Sequence, residues 1–315
     1  MYHRGAAGKS KENAHKGNFK DRMIQGIVNV LKPTGMSSHD IVSQMRRIYE
    51  MKKIGHAGTL DPLAAGVLPV YLGQATRLIE YGDSDTKTYH AEFLLGIATD
   101  TEDITGQVVD RKPVPAVSTA DMTAALQHFK GTIRQTPSRY SAISIHGVKA
   151  YKLARNHQDF TLPSRDITVH DIRLLSWQGH RGTLAVTCSK GTYVRSLIRD
   201  LGEYLGTCAC MAYLVRVQAG VFTIEDAATL EELTRDPLRY VLPSDASMGA
   251  VRKVTLPREK CLYLLQGRPV PFAGRQMTHG EILRIYTEQG GLTGIARFDK
   301  EHHVIRPHKM FADSL

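Results

Sequence analysis

Apolar positions along this chain change their period several times, and each change marks an element. Gly26 to Leu31 is a nearly continuous apolar run of strand length, which predicts a short buried strand. Lys32-Pro33-Thr34-Gly35 then turns, Ser37 or Ser38 can cap a helix, and Ile41, Met45 and Ile48 recur at helical spacing. Val67 to Leu72 predicts a strand that feeds a helix around Thr76 to Tyr81. Tyr89, Ala91, Phe93 and Leu95 alternate with His90, Glu92 and Leu94, the period of a half-buried strand. Ser118 with Asp121 has the form of a capping box, opening a helix with Met122, Leu126 and Phe129 on its inner face. Leu184, Val186 and Cys188 predict a strand ending at Ser189. A helix follows with Leu197, Ile198, Leu201 and Leu205, stopping near Gly206, and Tyr213 to Val217 is a further core strand.

The pattern loosens from Pro243 to Gly249, which places a linker there. Beyond it, Pro257 suits a helix start, Leu262 and Leu265 its inner face and Gly267 its stop. Strands are expected around Ile282 to Tyr286, Leu292 to Phe298 and Val304 to Arg306. A length of 315 residues exceeds the usual single core, so two domains are expected.

Lys and Arg number 41 against 31 Asp and Glu, a net charge of +10 that suits a polyanionic partner such as nucleic acid. No run of about 18 apolar residues offers a membrane span, and a soluble protein is expected. The four cysteines show no disulfide spacing and point to a reducing cytosol. Cys208 and Cys210 could touch a metal, but no second ligand pair with zinc-site spacing lies near. Residues 1–22, with Arg4, Lys9, Lys11, Lys16, Lys20 and Arg22, read as a flexible basic tail without the apolar stretch of a signal peptide. Asp100, Thr101, Glu102 and Asp103 lack the Gly and terminal Glu of a calcium loop and read as a solvated hairpin end.

The densest chemistry lies in Gly55-His56-Ala57-Gly58-Thr59-Leu60-Asp61-Pro62-Leu63-Ala64-Ala65-Gly66. Asp before Pro is common turn chemistry, yet here one carboxylate sits in an apolar loop whose Pro62 favours an extended residue before it and whose glycines allow close backbone approach. This string, with Lys32-Pro33-Thr34-Gly35-Met36-Ser37-Ser38 upstream and Ser189-Lys190-Gly191-Thr192-Tyr193-Val194-Arg195 downstream, resembles the pseudouridine synthases that act on tRNA. The resemblance is to the bacterial branch that modifies the T-loop, the TruB family, and it extends from about Gly26 to the C-terminus.

The resemblance implies an α+β pseudouridine synthase fold: a central mixed, largely antiparallel sheet flanked by helices, plus a small C-terminal PUA-like β-barrel module. It implies a catalytic domain over 23–245, an RNA-clamping insertion at about 137–165, and an RNA-binding module over 250–315. The implied activity is isomerisation of uridine to pseudouridine in the T-loop, at tRNA position 55, by base flipping. That reaction consumes nothing, so no cofactor and no metal are expected, in keeping with the lack of a phosphate-binding loop or dinucleotide fingerprint. Asp61 takes the role of the catalytic carboxylate, which attacks ribose or uracil or removes a ribose proton. Arg195 matches the position that pairs with it, where a cation balances the charge and holds the rotamer. Tyr89 matches the aromatic residue that stacks on the target uracil and could take its C5 proton, although a phenol is a poor base. Tyr193 and Leu214 are expected to line the pocket. His56 is expected to fill the space the flipped base leaves, and Lys32, Lys52, Lys53 and Lys190 are expected to meet phosphates.

From Pro137 to Arg155 the chain mixes Arg139, Lys149, Lys152 and Arg155 with Tyr140, His146 and Tyr151, a composition suited to neutralising and stacking on RNA. In the resembled family this is a mobile segment that closes over the T-loop. A guide-dependent synthase shares the Asp loop and a terminal RNA-binding module, but the insertion favours the stand-alone type: tRNA through its T-arm as partner, no guide RNA, no membrane, a cytoplasmic monomer. A purely RNA-binding protein that had lost catalysis would lack the nucleophile, and Asp61 is present.

Overall fold

The computed structural model describes residues 24–82, 86–274 and 276–311; the basic segment 1–22 lies outside the described residues. The larger sheet has nine strands. Its path runs Gly26–Lys32, Ala65–Leu72, Ala209–Ala219, Thr86–Leu95, Arg181–Ser189, Arg165–Gln178 and Gly131–Gln135, with Ile54–His56 joined to the second strand and Phe222–Thr223 to the third. Neighbours are antiparallel except where Ala209–Ala219 meets Ala65–Leu72, a short parallel contact pairing Val215 with Ala65 and Arg216 with Gly66. The sheet is therefore mixed and largely antiparallel, as expected.

The first two strands are covered on both faces, which is why they read as near-continuous apolar runs. Val28, Val30, Leu68 and Val70 pack with Ile41 and Met45 of helix Ser38–Ile48 and Leu233 of helix Leu230–Arg235, while Ile27, Val67 and Tyr71 join Phe222 in a second cluster. Thr86–Leu95 alternates because Tyr89, Ala91, Phe93 and Leu95 alone enter the core. Helices Thr119–His128 and Val194–Tyr204 cover that side with Met122, Leu126, Leu197, Ile198 and Leu201. Both expected capping signals are realised, at Ser37 with Asp40 and at Ser118 with Asp121.

The C-terminal region forms its own five-stranded sheet in the order Arg252–Leu256, Ile282–Thr287, Leu292–Asp299, Val304–Met310, Val270–Pro271. Its core holds Val254, Leu264, Ile285 and Phe298. Helix Arg258–Leu265 buries Cys261 and Leu264, whereas Leu262 is exposed, so the inner face differs from the Leu262 and Leu265 pair expected. The stripe begins on a small buried thiol, which behaves as a hydrophobe. Strand Arg252–Leu256 escaped the pattern because only Val254 and Leu256 are buried in it. The expected linker is a packed joint: Asp245, Ser247 and Met248 are buried, Tyr71 donates to Ser247 Oγ at 3.0 Å, and Arg284 pairs with Asp245 at 2.7 Å. Its polar residues carry the packing, so hydropathy alone does not register it.

Candidate active site

Asp61 lies in the loop between strands Ile54–His56 and Ala65–Leu72, and the Lys32–Ser38 segment clamps that loop through backbone groups. Ser38 Oγ accepts from the Leu60 amide at 2.8 Å and donates to the Leu60 carbonyl at 3.1 Å. The Gly35 amide donates to Pro62 O at 2.8 Å, and Lys32 Nζ donates to Ala64 O at 2.5 Å and to Pro33 O at 2.9 Å. Two motifs far apart in the residue pattern are thus one device: the first fixes the residues on either side of the carboxylate carried by the second. Gly66 completes it. With φ +110°, it lets the chain pass so near Arg216 that a Cβ would stand 2.2 Å from that residue's carbonyl oxygen.

Arg195, the second residue of helix Val194–Tyr204, donates from Nε to Asp61 Oδ2 at 2.9 Å. The arginine side chain is 4% exposed and the aspartate 39%, so a buried cation presents a carboxylate that still reaches solvent. Both terminal nitrogens of the guanidinium are engaged as well. Nη1 donates to Thr101 O at 2.7 Å and Ser138 Oγ at 3.2 Å, Nη2 donates to Tyr140 O at 3.0 Å, and Asp103 Oδ2 lies 3.9 Å from Nε. Such a network leaves the guanidinium one orientation.

The acidic turn is therefore corrected: it is no solvated hairpin end. Asp103 is buried and accepts from Thr101 and Thr105, and Glu102 accepts from Ser196 Oγ at 2.8 Å and pairs with Arg199. The turn packs against the start of the helix that carries Arg195, because its carboxylates are needed there by buried donors.

Asp61, Tyr89, Tyr193, Arg195 and Leu214 line one cleft of about 430 Å³. Tyr89 is 8% exposed, and burial pushes its phenol up, so it remains protonated at neutral pH and suits stacking better than proton removal. Tyr193 caps the helix without a side-chain bond, but Gln135 holds its backbone from both sides: the Tyr193 amide donates to Gln135 Oε1 at 2.9 Å, and Gln135 Nε2 donates to Tyr193 O at 3.0 Å. Lys87, Arg165, Lys190 and Arg216 complete the wall, so five cations surround Asp61, the single carboxylate of the lining.

Sequence reasoning missed Arg216. It is fully buried, donates from Nε to Val67 O at 2.8 Å and from Nη2 to Gly58 O at 2.9 Å, and bonds the Tyr89 phenol. The available signal was phase: Arg216 follows Leu214 by two positions in a strand and so points to the same side.

Two expected residues lie elsewhere. Lys32 does not line the cleft and is fully buried, so the expectation that it meets phosphates or substrate is corrected: its ammonium is spent on two carbonyls of the Asp61 loop. Burial lowers its pKa to about 8, against the opposing pull of Asp61. His56 ends its short strand half-buried and outside the cleft lining. Its Nδ1 is buried without a partner, and burial, then Arg216 and His39, lower its pKa, which keeps the ring neutral.

The 137–165 segment folds as a hairpin of Ser144–Ile145 with Val148–Lys149 and a short helix Ala150–Arg155. Ser138 and Tyr140 are its grip on Arg195, and Ser141 and Ala142 line the cleft. Cys208 and Cys210 are buried, Cys210 with its thiol pushed up to about 11 by burial. Among the described residues the metal-like cluster is Asp299, Glu301 and His302, where Asp299 already accepts from Arg306 and His302.

Residues 46–194 match the TruB family pseudouridylate synthase N-terminal domain, 195–263 the tRNA pseudouridylate synthase B C-terminal domain, and 253–311 the pseudouridine synthase II TruB C-terminal family. The chain is similar to tRNA pseudouridine synthase B of Moorella thermoacetica, 42% identical over 307 residues that cover 91% of this chain and 99% of the relative. It is 38% identical to that of Bacillus subtilis over 292 residues, covering 85% and 91%. Among solved structures, an H/ACA ribonucleoprotein bound to a substrate RNA containing 2′-deoxyuridine superposes with TM-score 0.69 at 22% identity, covering 95% of this chain and 92% of that one, which shows the shared fold.

Proposed function

The chain belongs to the TruB family of pseudouridylate synthases, and from that membership and the cleft geometry we propose that Asp61 opens the isomerisation of a uridine flipped out of the tRNA T-loop. The N1–C1′ bond breaks, the uracil turns, a C5–C1′ bond forms, and the C5 proton is lost while N1 gains one, so the atoms balance without an external reagent. The observation that carries the reading is the 2.9 Å pair between a buried, immobilised Arg195 and a partly open Asp61 inside a cleft large enough for a nucleoside.

The other residues fit defined parts. Tyr89, a neutral phenol in the cleft wall, stacks on the uracil; Leu214 closes the apolar side and Tyr193 the other. His56, kept uncharged, enters the base stack at low desolvation cost and replaces the departed uridine. The catalytic unit spans 23–245, with 137–165 closing over the RNA, and 250–315 is a PUA-like module that adds RNA contacts. The enzyme acts in the cytoplasm as a monomer, without guide RNA.

The test is an unmodified tRNA transcript labelled with tritium at uridine C5, mixed with purified protein and no guide. Wild type should release tritium and leave pseudouridine in the T-loop, while Asp61→Ala should abolish release and keep tRNA affinity within a few-fold, since binding rests on many contacts. Release by the variant, or none by wild type, sinks the reading.

A further inference from the structure

The cations of the cleft are not equally occupied. Arg195 is paired with Asp61, Arg216 is spent on the carbonyls of Val67 and Gly58, and Lys87 and Lys190 have partners of their own. Arg165 differs. One guanidinium nitrogen, Nη2, donates to the Gly191 carbonyl, while the Nε–H is buried with no acceptor, and among the described residues no carboxylate forms an ion pair with it. A single carbonyl satisfies one of five donors and cannot balance a full charge. The group is held in place all the same: its Cζ sits 5.1 Å from the Tyr193 ring centroid, and it forms part of the cleft wall that also holds Asp61.

We propose that Arg165 is the docking point for a backbone phosphate of the RNA strand next to the flipped uridine. The inference rests on the reading of the cleft as a uridine site. An unbalanced, pre-oriented guanidinium on the wall of a nucleoside pocket calls for an anion, and the anion that accompanies every nucleotide is a phosphodiester, whose oxygens match the guanidinium fork. The place in the fold gives the contact a second consequence. Arg165 pairs with Gln135 in the sheet register, where the chain leaves for the 137–165 segment and returns, and Gln135 holds Tyr193 by its backbone. A phosphate on Arg165 therefore sits at the root of the RNA cover and beside the residue that lines the pocket.

The experiment uses the full chain and a T-loop hairpin RNA, with neutral methylphosphonate replacing the phosphates around the target uridine one at a time. Arg165→Gln should weaken hairpin binding roughly ten-fold, the size of one charged hydrogen-bonded contact. It should also lower the steepness of log K against log salt by about 0.7, one phosphate's worth on a single strand. One methylphosphonate position should cost wild type a similar factor and cost Arg165→Gln nothing further. Arg165→Lys, which keeps the charge and loses the fork, should keep the wild-type salt slope. An unchanged slope in Arg165→Gln with a fallen saturated rate would overturn the proposal and make Arg165 a brace for Tyr193. So would the absence of any methylphosphonate position that is silent in the variant. Pseudouridine formation by wild type in the unmodified hairpin is scored separately: its failure removes the uridine-site reading, whereas the binding cycle judges the phosphate contact.

Discussion

The Asp61 loop and the 137–165 segment both end on Arg195, yet they are held there in different ways. The loop's backbone is held by the side chains of Ser38 and Lys32 and the amide of Gly35, with Leu60 and Ala64 in the core on either side of the carboxylate. The segment reaches the same guanidinium with one hydroxyl and one carbonyl, and beyond that root it has two-residue strands and a helix that buries little more than Ala150 and Ala154. The loop's geometry is thus fixed by the fold itself, while the segment has few buried contacts and correspondingly low local stability.

Arg195 is where the comparison breaks first. Arg195→Met should abolish activity and destabilise the fold by about 3–5 kcal/mol, because it removes the counter-charge of buried Asp103 and the donor of three acceptors. Asp61→Asn should abolish activity with little change in stability, since that side chain is 39% exposed. Urea unfolding midpoints of the two variants check the asymmetry; equal losses would mean that the loop, too, depends on the ion pair. A smaller effect is expected at the other end of the contrast. Replacing 144–149 with a short Gly-Ser connection keeps Ser138 and Tyr140, so it should raise KM roughly ten-fold and leave kcat within a few-fold, as steady-state kinetics on tRNA transcript would show. A collapse of kcat would tie the hairpin to the chemistry itself.

The two regions also differ in how far sequence exposes them. Asp61, Tyr89, Tyr193, Arg195 and Leu214, which share one cleft, were named through the resemblance of their local strings to the family, and hydrophobic period marked the strands but not their order in the sheet. Arg216, Gln135 and the Thr101 to Asp103 turn were not, because their parts depend on partners as far as 158 residues away, as for Arg216 and Gly58. Lys32 was visible but misjudged: its motif says that a lysine is required, and only packing tells that the requirement is two carbonyls and not a phosphate.

That buried lysine yields the smallest and finest test of the locked loop. Its folded pKa lies near 8, below the ordinary 10.5, chiefly through burial. Between those values the unfolded chain holds a proton that the native one has released, so this group makes stability rise with pH across the window; below about 8 both states are charged and its slope vanishes. Lys32→Met should flatten that rise in urea titrations spanning the window. Asp61→Asn should extend it to lower pH, because the carboxylate's charge is what holds the ammonium's pKa up. If the charge on Asp61 left the window unmoved, the lysine and the carboxylate would be electrostatically independent, and the loop would be fixed by hydrogen-bond geometry alone.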